Sequence, residues 1–349
     1  MRILWTHGDA NGIGPEILLK AFKARRQSEH CYIVVGSYCV MKFYAKELGF
    51  QVPIEEIHSL DGLPLSNERL YVLSLSCPIK MKVGTVQADA GALSMQAIET
   101  AAKLCLAGKA DAMVTAPIHK EAIQAAGYAF QGHTDFLEFL CRKEGYNAKA
   151  QMILADRHTK LRVALATVHV PLREVSETLR ASGGLRPHIA SLVQALRRDF
   201  GIRSPKIAVL GLNPHSSDNG VIGREEVEWI QPELDALKKE FEVSGVFAAD
   251  GFFGAKHYKH FDAVLALYHD QGLIPFKMLA FETGVNVTAG LPIVRTSPDH
   301  GTAFDIAGKG IANPKSVIEA TYLAEEIAEA RRQMLTQSHS YCEAGQHSR

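Results

Sequence analysis

The stretch AVLALYHDQGLIPFK, residues 263–277, opens as a run of small and branched apolar residues and then delivers Tyr268, His269, Asp270 and Gln271 in succession. An uninterrupted apolar run of this length reads as a strand buried on both faces. Strands of that kind make parallel sheets wrapped by helices, and such sheets collect ligands beyond the carboxyl ends of their strands. The polar quartet is therefore expected where a rigid strand hands the chain to a functional loop.

The same rhythm runs outward in both directions. RILWT (2–6) precedes a helical IGPEILLKAFKA, and CYIVVG (31–36) precedes VMKFYAKELG. GALSMQAIETAAKLCLAG (91–108) precedes DAMVTAP (111–117), LRVALAT (161–167) precedes PLREVSETLR, and KIAVLGL (206–212) precedes REEVEWIQPELDALKKEF. Strands alternating with amphipathic helices define an α/β fold. The segment TQSHSYCEAGQHSR at the end loses this periodicity and is expected to be a loose tail.

Composition narrows the class of partner. At 349 residues, 47% hydrophobic and 22% charged, the chain is globular and long enough for two domains. Lys plus Arg equals Asp plus Glu at 38 each, so the overall field favours neither nucleic acid nor an anionic membrane. Six cysteines, Cys31, Cys39, Cys77, Cys105, Cys141 and Cys342, show no CxxC spacing, against both a zinc ribbon and a disulfide framework. With no export signal read in MRILWTHGDANG and no apolar run long enough to span a bilayer, a reduced cytoplasm is the expected location.

His269 has two counterparts. LRVALATVHV leads to His169 and KIAVLGLNPH to His215, each just past a strand-like run. Three neutral imidazoles with an open position suit a borderline divalent metal, with room for a substrate oxygen. Equally, a histidine at a strand end serves as a hydrogen-bonded structural residue, and spacing leaves both readings open. A second informative segment, DHGTAFDIAGKGIANP (299–314), carries glycines that admit a ligand close to the backbone, and Asp305 can accept from a ribose diol. It does not spell GxGxxG, and a glycine-rich turn before a helix near Pro314 accounts for its composition as well.

That segment and GDANGIGPE (8–16) resemble the adenosine-binding and opening loops of the isocitrate and isopropylmalate dehydrogenase superfamily. Within it, VTAPIHKEAIQAAGYAFQGHTDFLEFL (114–140), GLNPH with the following GREE, YHDQGLIPFK, and GVNVTAGLPIVRTSPDHGTAFDIAGKG (284–310) resemble the 4-hydroxythreonine-4-phosphate dehydrogenase family of vitamin B6 biosynthesis. The resemblance implies two α/β/α lobes with an active-site cleft between them. Residues 1–128 with 293–349 would form a coenzyme-binding lobe, and residues 129–292 a lobe for metal, substrate and dimerisation. It places the metal ligands at His169, His215 and His269, and substrate contacts at His133, Thr134, Lys277, Asn286 and Arg295. Coenzyme contacts fall at Gly12, His300, Gly301, Asp305 and Asn313, and catalytic roles at Asp250 and Lys277. It further implies NAD or NADP, one divalent ion (zinc, cobalt or magnesium) per site, a phosphorylated hydroxy-amino acid as substrate, and a homodimer whose subunits share each site.

Chemistry agrees with several of these assignments. Arginine grips a carboxylate or phosphate with two N–H groups and lysine adds a compact charge, while His133 and Thr134 fall at the start of a helix expected from Asp135, with Thr134 as its cap. Three positions depart from the family pattern: His119 stands where Asn is common, the loop at Ser216 is altered, and Gly251 replaces a hydroxyl-bearing residue. These changes leave room for threonate or erythronate phosphates or dihydrodiol carboxylates as substrates, while a non-catalytic ligand sensor, the reading from another class, would be expected to lack a metal ligand or Lys277, and none is missing.

Overall fold

The computed structural model describes residues 1–25, 28–64, 66–75 and 79–346, the last ten as backbone only. Cys77 and residues 347–349 lie outside them. Twelve strands are described: β1 (Arg2–Thr6), β2 (Cys31–Gly36), β3 (Ile54–Ile57), β4 (Leu70–Ser74), β5 (Ala112–Thr115), β6 (Gln151–Ala155), β7 (Arg162–Leu165), β8 (Ile207–Leu210), β9 (Val243–Phe247), β10 (Ala263–Ala266), β11 (Val285–Ala289) and β12 (Arg295–Pro298). The chain divides into two compact units, Met1–Ala150 with Leu291–Ala328, and Gln151–Gly290 with the chain from Glu329 onward.

In the first unit the strands run β3-β4-β2-β1-β5-β12, all parallel. Its centre is β1, whose Ile3, Leu4 and Trp5 are fully buried, as a strand covered on both faces requires. Trp5 stacks on Tyr32 of β2 at 4.7 Å, and its indole N–H donates to Thr321 at 3.2 Å, so even this large side chain leaves no polar atom stranded. The outermost strand, β3, carries Glu55 and Glu56, charges of the kind that discourage pairing along an open edge.

The unit boundary differs from the expected one. Residues 129–150 belong with the first unit because Phe136, Leu137, Leu140 and Cys141 of the helix His133–Lys143 enter the same core as Leu4, Ile33 and Met113. The last helix changes unit part-way: Arg331 donates to the buried Asp199 at 2.7 Å, tying the chain beyond Ala328 to the second unit. That helix spans Lys315–Gln346, so the expected loose tail is helical for most of its length; no proline and, before Gly345, no glycine interrupts it.

The second unit holds β11-β6-β7-β10-β8-β9. Strands β7, β10, β8 and β9 are parallel, but β6 is antiparallel to both β7 and β11. A short connection forces this reversal on β6 and β7. Asp156 accepts from the backbone N–H and the hydroxyl of Thr159 at 2.7 and 2.6 Å, and Lys160 takes a left-handed conformation, φ 59°. Val264, Leu265 and Ala266 of β10 are buried, as the opening stretch required, and Val264 and Ala266 feed a core with Val163, Ala208, Phe252 and Phe276.

Candidate active site

In the first unit, Arg295 opens β12 and Thr115 closes the neighbouring β5. The guanidinium is buried and donates to the Thr115 hydroxyl through Nε at 3.1 Å and a terminal nitrogen at 2.7 Å. Burial pulls its pKa down to about 9, which still leaves it charged at neutral pH. His133 is held well below the usual histidine range, chiefly by burial and then by the charge of Arg295; a hydrogen bond to the Ala116 carbonyl opposes both. Its Nε2 is buried without a partner, so the Ala116 bond runs through Nδ1. The ring is thus a neutral imidazole with Nδ1 donating inward and Nε2 left as an acceptor.

The helix starts at His133 itself, with Gly132 as the cap, rather than at Asp135 with Thr134 as the cap. Asp135 sits in the first turn and reaches back to accept from the backbone N–H of Gln131 and Gly132, at 2.6 and 3.0 Å. A carboxylate there also favours the positive helix end. Thr134 is consequently in the first turn, its hydroxyl not used for capping.

The opening loop and the glycine-rich segment meet within the same unit. Ile13 N–H donates to Thr302 carbonyl at 3.0 Å, and a side chain at Gly12 would lie 3.0 Å from that oxygen, which explains glycine here. Glu16, fully buried, accepts from Ala312 N–H at 2.8 Å, while Lys20 donates to Glu16 and to the carbonyls of Gly310 and Ala312 at 2.7, 2.9 and 2.6 Å. Asn313 accepts from Lys315 N–H at 3.0 Å, His300 contacts the Gly301 carbonyl at 3.2 Å, and Asp305 is exposed. His119 stacks on Phe304 at 4.7 Å with 10° between the rings. Buried and unpartnered, His119 Nδ1 and Asp9 Oδ2 are open to a polar ligand group, and this cradle fits a coenzyme. Neither the Thr115 contact nor the stack was anticipated, since both join residues more than 170 positions apart in sequence.

In the second unit, the rings of His169 and His269 lie 6.2 Å apart at 36°. Two imidazoles on one tetrahedral ion, each bonding at about 2.1 Å, place their centroids roughly 5 Å apart, so this pair stands near, but about 1 Å wider than, the spacing of a shared metal. His269 is the first residue of the helix His269–Ala280, three places beyond the last strand residue, and its Nδ1 lies 2.7 Å from Asp270. His215 Nδ1 lies 3.2 Å from Asp218. A carboxylate on Nδ1 leaves Nε2 as the ligating nitrogen, the arrangement metal sites use.

His215 does not join the pair. Among the described residues no three His, Cys, Asp or Glu side chains gather as a metal site. Residues 215–219 all take positive φ, between 45° and 73°, and His215 is 63% exposed. Of the remaining candidates here, Lys277 lies two turns along the helix of His269 and Asn286 lies on β11 with Oδ1 buried and unpartnered. Asp250 sits exposed in the first turn of Ala249–Gly254, the helix that contains Gly251.

Imidazoles presented past the ends of β7, β8 and β10, together with a separate arginine–imidazole anion group, define an α/β enzyme for a small polar substrate. The family model described as pyridoxal phosphate biosynthetic protein PdxA matches residues 28–324, and the chain belongs to that family. It is 51% identical over 330 residues to the 4-hydroxythreonine-4-phosphate dehydrogenase of Prosthecochloris aestuarii, covering 93% of this chain and 96% of the relative. It is 41% identical over 335 residues to that of Bacteroides thetaiotaomicron, covering 95% and 90%. Among solved structures, the Klebsiella pneumoniae 4-hydroxythreonine-4-phosphate dehydrogenase superposes with a TM-score of 0.83 at 38% identity, covering 94% of this chain and 98% of that one.

Proposed function

We propose that the chain catalyses the metal-dependent, NAD(P)-linked oxidation of 4-phosphooxy-L-threonine to 2-amino-3-oxo-4-phosphooxybutanoate, which then decarboxylates to 3-amino-2-oxopropyl phosphate. The reading draws on the named relatives, and the observation that carries it is the pairing of His169 with His269. A divalent ion, zinc, cobalt or magnesium, held by these imidazoles and His215 supplies a Lewis acid that lowers the proton affinity of the substrate's secondary hydroxyl. The nicotinamide coenzyme, held by Gly12, His300, Gly301, Asp305 and Asn313, supplies the hydride acceptor. Asp305 favours an unphosphorylated ribose and hence NAD.

The protein's own groups position and neutralise. Arg295, its fork aimed by Thr115, and Lys277 hold the substrate's anionic groups; His133 accepts through Nε2 from a protonated substrate group; Thr134 and Asn286 complete the polar contacts. Asp250 takes the hydroxyl proton, directly or through water.

The third ligand, His215, comes from a second copy of the chain. Its exposure is consistent with this, and so is the apolar surface on and just beyond the helix that begins at His269: Ile274, Met278, Leu279 and Phe281 are 57%, 82%, 42% and 78% exposed. Four large exposed apolar side chains within eight residues call for a covering partner, and a homodimer provides it.

The test is coenzyme reduction followed at 340 nm with metal-loaded protein. Phosphorylated hydroxythreonine is compared with threonate and erythronate phosphates and a dihydrodiol carboxylate. The first is expected to give the highest kcat/KM. Another substrate ranking first would replace the assignment, and coenzyme binding without reduction across the panel would make the chain a sensor.

A further inference from the structure

Three features of the GLNPH segment converge on one carboxylate. Glu226, 3% exposed, accepts from the backbone N–H of Leu212 and of Asn213, both at 2.7 Å, through Oε1. Its Oε2 accepts from the Asn213 side-chain amide at 2.8 Å, an amide that also donates to Glu225 at 2.8 Å. Immediately after this anchor the chain enters the left-handed run His215–Asn219, with φ of 52°, 51°, 73°, 45° and 56° on five successive residues that are not glycine. Such conformations are unfavourable for L-residues and persist only where the surroundings over-determine them. Ser217 is fully buried inside the turn and Ser216 donates to the Val246 carbonyl at 3.2 Å, yet His215 itself projects outward.

A buried carboxylate saturated with three N–H donors is costly to keep for packing alone, since an apolar side chain would fill the space without a charge to desolvate. Glu226 also opens the π-helical turn Glu226–Ile230, a distortion often found at functional sites, which follows the GRE sequence closing the loop. From these observations we infer that Glu226 is a positioning residue: by clamping Leu212 and Asn213 it sets the strained turn that presents His215 for coordination before any metal or second copy arrives. This rests on the reading of His215 as a metal ligand. Glu226 touches neither substrate nor metal; it acts through the loop.

The test is a cobalt(II) titration of the full-length protein, read by the visible absorption of the bound ion, for the wild type, Glu226→Gln, His215→Ala and the double variant. Glutamine keeps the shape but turns one acceptor oxygen into a donor facing other donors. Glu226→Gln is expected to weaken cobalt binding about tenfold to a hundredfold, the usual range for residues that orient a ligand. In the His215→Ala background the same substitution is expected to change affinity by no more than about twofold, because its target is already gone. Wild-type affinity in Glu226→Gln, or an equal loss in both backgrounds, overturns the inference. If His215→Ala alone binds cobalt normally, the ligand assignment fails and takes the inference with it; if only Glu226→Gln binds normally, the ligand assignment stands and the inference alone falls. Should Glu226→Gln not fold, as judged by near-ultraviolet circular dichroism of the metal-free protein, Asn213→Ala removes just the side-chain straps and must show the same dependence on His215.

Discussion

Arg295 donates twice to a single acceptor, the hydroxyl of Thr115, at 3.1 and 2.7 Å across neighbouring strands β12 and β5. This fixes the plane of the guanidinium and so the direction in which its remaining N–H groups point. Thr115→Val removes the acceptor while keeping the β-branched shape. KM for the phosphorylated substrate should rise about tenfold, as for loss of an oriented charged contact, with kcat less affected. Steady-state kinetics of Thr115→Val and Thr115→Ser check it; serine, which restores the hydroxyl, should recover most of the affinity.

Pairing of His169 with His269 inside one chain decides which variants can complement each other. Mixing His169→Ala protein with His215→Ala protein should restore about a quarter of wild-type activity: half the dimers are mixed at random exchange, and each has one intact site of two. Mixing His169→Ala with His269→Ala should restore nothing, because every site lacks a member of the pair. Activity after unfolding and refolding the mixtures checks this. Rescue in the second mixture would place the pair on different subunits.

His7 is fully buried at the end of β1, and burial lowers its pKa from 6.5 to about 4 despite a hydrogen bond with the Gly8 carbonyl. Its folded value lies below its unfolded one, so between those two pH values the unfolded chain binds a proton that the native protein excludes. Stability is therefore full above pH 6.5 and falls as the pH drops toward 4, by roughly 3 kcal/mol from this residue alone. His133 and His30 are shifted in the same direction. Urea unfolding at pH 7 and pH 4.5 should show the loss, and His7→Asn should make the difference smaller.

Arg25 and Glu325 form a buried pair in which one terminal guanidinium nitrogen donates to both carboxylate oxygens, at 2.7 and 2.6 Å, with Tyr32 donating to the same carboxylate at 2.9 Å and the guanidinium 3.7 Å above the Tyr322 ring. Removing one partner strands a buried charge. Glu325→Leu should cost about 3–5 kcal/mol, and Arg25→Leu combined with it should recover part of that loss. Urea denaturation midpoints of the two variants give the comparison.

Close packing of helices makes a third stability test. A side chain at Gly91, within Ala88–Leu106, would lie 2.2 Å from the Ala122 carbonyl, a backbone atom that cannot step aside. Gly91→Ala should destabilise the protein by about 1–3 kcal/mol through overpacking, although alanine is the better helix former. Thermal unfolding reads the result directly.

Much of the fold was legible because burial on both faces leaves a plain mark in sequence. RILWT, CYIVVG, AMVT, RVAL, IAVL and AVLA are all strands, and the helices after the first two follow where the apolar spacing lengthens. Strand β6, QMILA, escaped notice and with it the antiparallel reversal, since the turn at Asp156 and Thr159 uses side-chain hydrogen bonds rather than a glycine or proline signal. The boundary near residue 129 was misplaced for a related reason. Which core a helix joins depends on the partners of Phe136 and Leu140, not on its own pattern.

Residue chemistry and periodicity thus settled the α/β class and put imidazoles past the ends of three strands, because those properties are local and a strand end is a position along the chain. Folding in three dimensions alone decided that His169 faces His269 while His215 turns outward, that Thr115 aims Arg295, and that His133 is neutral. Such relations depend on distance and burial between residues far apart in sequence, and no window of neighbouring letters contains either quantity.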